Sequence, residues 1–461
     1  MLKLTVLLVV LAGAVVAYVS LLPDPLARYK ARLAARGEEL ALTRLLPPYS
    51  GEVADYQQQL GDATAGLVIL PIHPSDIAPM NRTTTGFARA ASAQPAPSGK
   101  GPWEDLETQM KRSEPALSEL RRLLAAPVNG NGQAQMPPFS SKSAFDLVSR
   151  RKAAQTFAAA AVNDLHWGRL DVALTNLRGF IALARFNDEG GLLVDRMIQV
   201  AIGGLALAVT WETLQAPGWT EAELASMQSD WQRIELARGF AHTAEMERAS
   251  AVAYYELMRT NNTERRQMFG GRGGKGFADR LYEGFYLPFW AVSWSKGDEL
   301  SFLETVQPIV EGTRSATTNG DYHAMRTAVA AAIDNIHSRQ TALNRFRYPL
   351  ASMVVPNWEK ATTTLLRYET QRQMAITALA LKRYQLKHGK LPASLAALTP
   401  EFLPAAPIDC MNGRLLTYVR ISDERFTLRS VGNDEQDDGG AGDDLTWPEL
   451  EGDSPVGLSP P

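Results

Sequence analysis

The stretch Leu365-Leu-Arg-Tyr368-Glu-Thr-Gln-Arg-Gln-Met-Ala-Ile376-Thr-Ala-Leu379-Ala-Leu-Lys-Arg-Tyr-Gln-Leu386-Lys-His388-Gly389 decides the fold class of this chain. Its residues Leu365, Tyr368, Ile376, Leu379 and Leu386 recur at intervals that return to one face of a helix. The helix is expected to begin near Trp358 and to stop at His388-Gly389, where glycine can adopt the left-handed backbone of a helix end. The same periodicity runs through residues 103–348, with helices expected over 103–124, 143–166, 171–186, 192–214, 220–258, 299–314 and 322–345. Thr220-Glu-Ala-Glu223 reads as a capping box at one of their starts. The chain is thus mainly α, a helical bundle or irregular α-solenoid.

Beyond Gly389 the pattern changes. A helical turn is expected over 392–398, an extended connection over 400–407, and two strands over 414–420 and 425–430 joined near Ser422-Asp423. Then comes Ser430-Val-Gly-Asn-Asp434-Glu-Gln-Asp437-Asp438-Gly439-Gly440-Ala-Gly442-Asp443-Asp444-Leu-Thr-Trp447, a dense run of carboxylates and glycines. Carboxylate oxygens suit calcium, and glycines let the backbone fold tightly enough to add carbonyl ligands. An EF-hand does not fit, because counting from Asp434 the last ligand position falls on Leu445 in place of a bidentate Glu. The competing reading is a solvated acidic tail, continued by Glu449, Glu451 and Asp453. Trp447 favours order, as an apolar latch.

These residues also carry a resemblance. The run Ala378 to Pro392, then Pro407-Ile-Asp409, Asn412-Gly413, Tyr418, Ser430-Val-Gly432-Asn-Asp434, Gly439-Gly440 and Asp444-Leu445 resembles the globular part of type II secretion major pseudopilins. The resemblance implies a small α+β module in which a long helix packs on an antiparallel sheet and the following loop binds calcium. It implies Ser430, Asp434, Asp443 and Asp444 as side-chain ligands, with Asp437 and Asp438 making this loop more acidic than the family's. Unlike a pseudopilin, the chain shows no basic leader ending in Gly before Phe, and more than three hundred residues separate its apolar N-terminal run from the module. Assembly into a pseudopilus is therefore not expected.

Four regions follow: an anchor at 1–23, a juxtamembrane stalk and linker at 24–102, a helical domain at 103–357 and the pseudopilin-like module at 358–461. The uninterrupted apolar run 4–22 is long enough to span a bilayer, with a cleaved signal ending near Ala14 or Ala17 as the rival. Arg28, Lys30, Arg32 and Arg36 follow it, which by the positive-inside rule favours a cytoplasmic body. The short basic start and the calcium loop favour export. The expectation is a single-pass protein of the bacterial inner membrane with an extracytoplasmic body. The linker over 80–102 is rich in Pro, Ser and Thr, and residues 161–177 resemble one tetratricopeptide hairpin turning at Gly168. The Gly270–Gly276 run lacks the first glycine and the hydroxyl of a phosphate loop, and Phe285 to Trp294 holds an aromatic cluster.

A net charge of −3 with scattered Lys and Arg excludes a general nucleic-acid binder. The lone Cys410 excludes an internal disulfide and a cysteine metal cluster. No two histidines share a helical turn, and no Gly-x-Ser-x-Gly elbow occurs. Glu245, Glu247 and Glu256 with Tyr254 and Tyr255 could imitate an acid–base pair, but a charged helix face accounts for them. The expected function is a non-enzymatic envelope scaffold with a structural calcium site and a protein partner. The alternative is an envelope hydrolase whose site is assembled between helices.

Overall fold

The computed structural model describes residues 24–68, 102–130, 145–186, 191–234, 236–269, 282–339 and 342–447. The apolar run 4–22, the linker through Gly101, the Gly270–Gly276 loop and the acidic terminus from Pro448 lie outside these residues.

The described chain is mainly helical. Three helices precede the linker: α1 (Pro25–Ala35), α2 (Leu42–Leu45) and α3 (Gly51–Ala65). The body contains α4 (Pro102–Ala125), α5 (Leu147–His166), α6 (Leu170–Ala184), α7 (Leu193–Gln215), α8 (Glu221–Gln232), α9 (Leu236–Thr260) and α10 (Asn262–Met268). Two π-turns, Tyr282–Tyr286 and Trp290–Trp294, lead into α11 (Ser295–Asn319), followed by α12 (Tyr322–Arg339), α13 (Ala342–Arg347) and α14 (Pro349–His388). The sheet consists of β1 (Thr417–Arg420), β2 (Phe426–Ser430) and β3 (Leu445–Trp447).

Helix α14 is the axis of the molecule, packing against α7, α8, α11, α12 and β3. Small residues make this burial possible. Ala375, Ala378 and Ala380 are buried beside Leu365, Leu366, Tyr368, Leu379 and Leu381. On α7, a Cβ on Gly203 would fall 2.5 Å from the Tyr368 ring, so glycine lets the two helices close up. The helix ends at Gly389 with φ +73°, as its sequence predicts. It starts nine residues earlier than the periodicity indicates.

Residues 220–258, expected as one helix, are two. The carbonyl of Trp231 accepts from Arg372 of α14 at 2.8 Å, and buried Ile234 turns into the core just after α8 ends. A long-range cation thus satisfies a carbonyl near the break. The capping box forms as read: Glu223 N donates to Thr220 Oγ1 (3.3 Å) and Thr220 N to Glu223 Oε2 (2.8 Å). α5 and α6 pack together as the expected hairpin, with Ala173 buried between them.

Strands β1 and β2 pair antiparallel with Thr417 opposite Arg429, and Ser422 Oγ accepts from the amides of Glu424 and Arg425 at the turn. Strand β3 adds to the other edge of β2, with Leu428 opposite Trp447. All three β3 residues are buried. One hydrophobic cluster runs from Leu26 through the body to Trp447, so module and body share a core.

Residues 24–68, read from sequence as the stalk, lie against the body over their described length. Tyr56 donates to the carbonyl of Leu123 at 3.2 Å, and α1 lies along α11 with Leu26 and Leu33 buried. One described helix, Leu193–Gln215, is long and apolar enough to cross a membrane, and 50% of its most apolar window is buried inside the protein. It carries buried Arg196, Gln199 and Glu212 and packs against α5, α6, α9 and α14, the environment of a core helix.

Candidate metal centre

The acidic loop joins β2 to β3, and its shape originates in Asp409, just before β1. Asp409 is 2% exposed; its Oδ1 accepts from Met411 N (2.9 Å) and Ser430 Oγ (2.9 Å), and its Oδ2 from Val431 N (3.1 Å). Burial pushes its carboxyl above the ordinary aspartate range, these donors pull it back, and the nearby Asp444 charge adds to the rise. At Gly432 the chain takes φ +64° directly under Asp443, where a Cβ would sit 1.9 Å from the Asp443 carbonyl oxygen. Gly432→Ala is therefore expected to lower stability by about 2 kcal/mol or more, through overpacking and left-handed strain together. Chemical denaturation checks the magnitude, and faster amide exchange over 431–447 checks the location.

The six residues singled out from sequence have different fates. Ser430 is buried and its hydroxyl is committed to Asp409. Asp434 accepts from Gln436 N at 3.1 Å in a tight turn. Asp443 accepts from Asn433 N at 2.6 Å and pairs with Arg367 of α14 at 3.2 Å. Asp437 accepts from Gly439 N and pairs with Arg429 at 3.5 Å, and the Asp438 carboxylate lies under Gly442. Asp444 is the buried carboxylate of the set, at 5% exposure. Its Oδ2 accepts from Gly440 N at 2.7 Å, whereas its Oδ1 has no hydrogen-bond partner. Burial first, then the charges of Asp437 and Asp438, raise the Asp444 carboxyl above its ordinary value.

The loop thus brings Asp437, Asp438 and Asp444 into one electrostatic neighbourhood and turns Ser430, Asp434 and Asp443 to structural bonds. Asn433 Oδ1 is a second buried oxygen without a partner. Unpartnered buried acceptor oxygens beside negative charge are the donor chemistry that a hard cation satisfies. Among the described residues, however, no three His, Cys, Asp or Glu side chains stand close enough together to enclose a metal ion.

Sequence reading missed the cations that hold the loop. Arg326 of α12 bonds the Asn433 carbonyl and pairs with Glu435 at 3.1 Å, with His323 3.7 Å from the same carboxylate. Glu435, at φ +61°, is the one non-glycine residue with positive φ among the described residues. Arg367 and Arg429 complete the set. These partners are distant in sequence, so only the unusual density of acids hinted that bases must be near.

The other titratable groups are committed elsewhere. Glu245 pairs with Arg314 at 2.5 Å, Glu247 accepts from Leu193 N at the start of α7, and Glu256 lies 3.8 Å from Lys30. Tyr255 donates to Asp298 at 3.1 Å. His166 stacks on Trp103 at 3.9 Å, and His388 lies against Tyr384 at 4.2 Å. The acids of α9 therefore tether helices and do not face one another.

Comparison with protein-family models, with curated proteins and with solved structures finds no match for this chain.

Proposed function

We propose that the chain is a non-enzymatic scaffold of the bacterial inner membrane, anchored once through residues 4–22 with its body extracytoplasmic. Its pseudopilin-like C-terminal module presents a calcium-ordered loop to a protein partner. The observation that carries the calcium reading is the Asp444 carboxylate, buried and bonded at one oxygen, with the other lacking any partner. The order of long helix, antiparallel hairpin, acidic loop and closing strand β3 supports the pseudopilin-like reading, and the apolar run supports the anchor.

In this reading the unpartnered Asp444 Oδ1 ligates the ion, the neighbouring Asp437 and Asp438 charges add attraction, and backbone carbonyls or water complete the shell. Arg326 holds Glu435 and Arg367 holds Asp443, one on each side of that segment, so the ion acts on one part of a braced loop. Ordering that segment would let it present a constant shape to a partner.

At a free calcium level about 100-fold above the dissociation constant, binding is expected to add about 2.7 kcal/mol to stability and to slow amide exchange over 431–447. Asp444→Asn is expected to abolish both effects. Identical melting and exchange in calcium and in chelator would refute the metal site. The raised Asp444 carboxyl gives a second expectation: calcium binds its ionised form, so as pH drops into its titration range affinity falls and binding there releases a proton. Calorimetry in two buffers of different ionisation enthalpy measures that proton, and identical heats would rule out its release.

A further inference from the structure

We propose that the aromatic ridge formed by exposed Phe285 and half-buried Phe289 and Trp294, together with exposed Val292, lies on the lipid surface at the point where the anchor leaves the bilayer. The inference rests on the reading of residues 4–22 as a membrane anchor. It adds a second, independent contact between body and membrane.

Asp24, the first described residue, joins α1 to α11. Its Oδ1 caps α1, accepting from Leu26 N (3.0 Å) and Ala27 N (3.2 Å), while its Oδ2 holds Lys296 Nζ at 2.8 Å. Lys30 reinforces this junction by pairing with buried Glu299 at 2.5 Å. The start of α1 is therefore pinned to the start of α11. Leu22, the last residue of the apolar run, lies two residues before Asp24, and two residues span at most about 7 Å. The headgroup layer on one side of a bilayer is about 6 Å deep. With Leu22 at the hydrocarbon edge, Lys296 falls in or beside that layer.

The ridge begins two residues before Lys296. The Trp294 and Phe289 rings meet edge to face at 4.8 Å, and Phe289 stacks on Phe285 at 6.0 Å, a continuous line of rings leading away from the junction. Phe285 is 61% and Val292 63% exposed, whereas Leu287, Trp290 and Ala291 of the same segment face the core. The segment is thus apolar on both sides, and its outer side leaves Phe285 and Val292 open to solvent. Phe346, held beside it where its carbonyl accepts from Tyr286 Oη at 2.7 Å, is another exposed ring.

Charge around the junction favours lipid over a second protein. Lys296 keeps a 61% exposed side chain, and Arg28 and Arg32 project from the outer face of α1. Aromatic rings match the boundary between acyl chains and headgroups at either face of a bilayer, and exposed cations beside them can reach lipid phosphates. A ridge of this kind would fix the tilt of the body on the membrane.

The test uses the full chain carrying Phe285→Cys or Val292→Cys, with Ile421→Cys on the hairpin as reference. Each is labelled with an environment-sensitive nitrobenzoxadiazole probe. Cys410 is buried and stays unlabelled in the folded protein. The proteins are reconstituted in phosphatidylethanolamine and phosphatidylglycerol vesicles containing lipids spin-labelled near the headgroup. Probes at 285 and 292 are expected to shift to the blue and to be quenched about threefold more than the probe at 421, because quenching is confined to the thin interfacial layer. Carbonate-resistant flotation with water-exposed ridge probes would overturn the ridge and leave the anchor standing. Failure to float would overturn both. A blue shift insensitive to the lipid quencher would assign the ridge to another protein chain and likewise overturn the proposal.

Discussion

Asp298→Ala is expected to destabilise the folded chain by about 4 kcal/mol or more, a large share of the roughly 5–15 kcal/mol available to a domain. Its carboxylate is fully buried and takes four donors. Oδ1 accepts from Tyr255 Oη (3.1 Å) and Ala351 N (3.0 Å), and Oδ2 from Trp290 Nε1 (3.1 Å) and Leu350 N (3.2 Å). Leu350 and Ala351 open α14, where the N-cap residue Tyr348 offers no side-chain cap and Pro349 has no N–H to satisfy. A residue of α11 therefore caps the axial helix across space and ties it to α9 and to the aromatic segment. Alanine leaves all four donors buried without an acceptor.

Asp298 also has a pH signature. Burial raises its carboxyl from 3.8 to about 6, against the pull of the four hydrogen bonds. The folded state then binds the proton more tightly than the unfolded state, so this group's contribution is fully present below 3.8 and is lost as pH rises through about 6. The shift corresponds to about 3 kcal/mol. Asp298→Asn keeps the shape but turns an amide NH2 toward two donors, at an expected cost of about 2 kcal/mol. It also removes the titration, so the stability difference between wild type and Asp298→Asn should vary with pH across this window. Urea unfolding over that range measures it, and a pH-independent difference would refute the assignment.

The second large effect is expected at Glu38. Its side chain is 6% exposed and takes Arg248 at 2.8 Å, both nitrogens of Arg314 at 3.0 and 3.1 Å, and Gln307 at 3.0 Å. Arg248 is 1% exposed. Glu38→Leu strands that guanidinium in the core and is expected to cost about 3–5 kcal/mol. Adding Arg248→Met should recover part of the loss, since an apolar pair replaces a buried charge without its partner. Additive losses in this double-mutant cycle would rule out the coupling. The pH dependence runs opposite to that of Asp298. Burial alone would raise the Glu38 carboxyl, but Arg314 and Arg248 carry it from 4.5 down to about 2, so its contribution is present above 4.5 and lost as pH falls through about 2.

Most helices were legible because their apolar spacing is local, and the Thr220–Glu223 box and Gly389 stop carry their own signals. The break between α8 and α9 was not, because its partner Arg372 lies on another helix. Strand β3 is three residues long behind a glycine-rich loop, too short for alternation to mark it beyond the apolar Leu445 and Trp447. In the acidic loop, sequence identified the carboxylates but not their allocation. The six residues look equivalent in a string, yet Ser430 bonds Asp409, Asp443 bonds Arg367, and Asp444 alone is buried with an unpartnered oxygen.

The mainly α class, the β1–β2 hairpin and the acidic, glycine-rich character of the loop can be read along the chain. Each depends on residues within a few positions of one another. That α14 is the axis, that Asp298 caps it, that Glu38 fastens the N-terminal segment to Arg248 and Arg314, and that Lys296 holds Asp24 beside the aromatic ridge emerge only from the folded chain. Those pairings join groups far apart along the chain. A buried charge must find its counter-charge wherever the fold brings one, and local periodicity carries no record of that meeting.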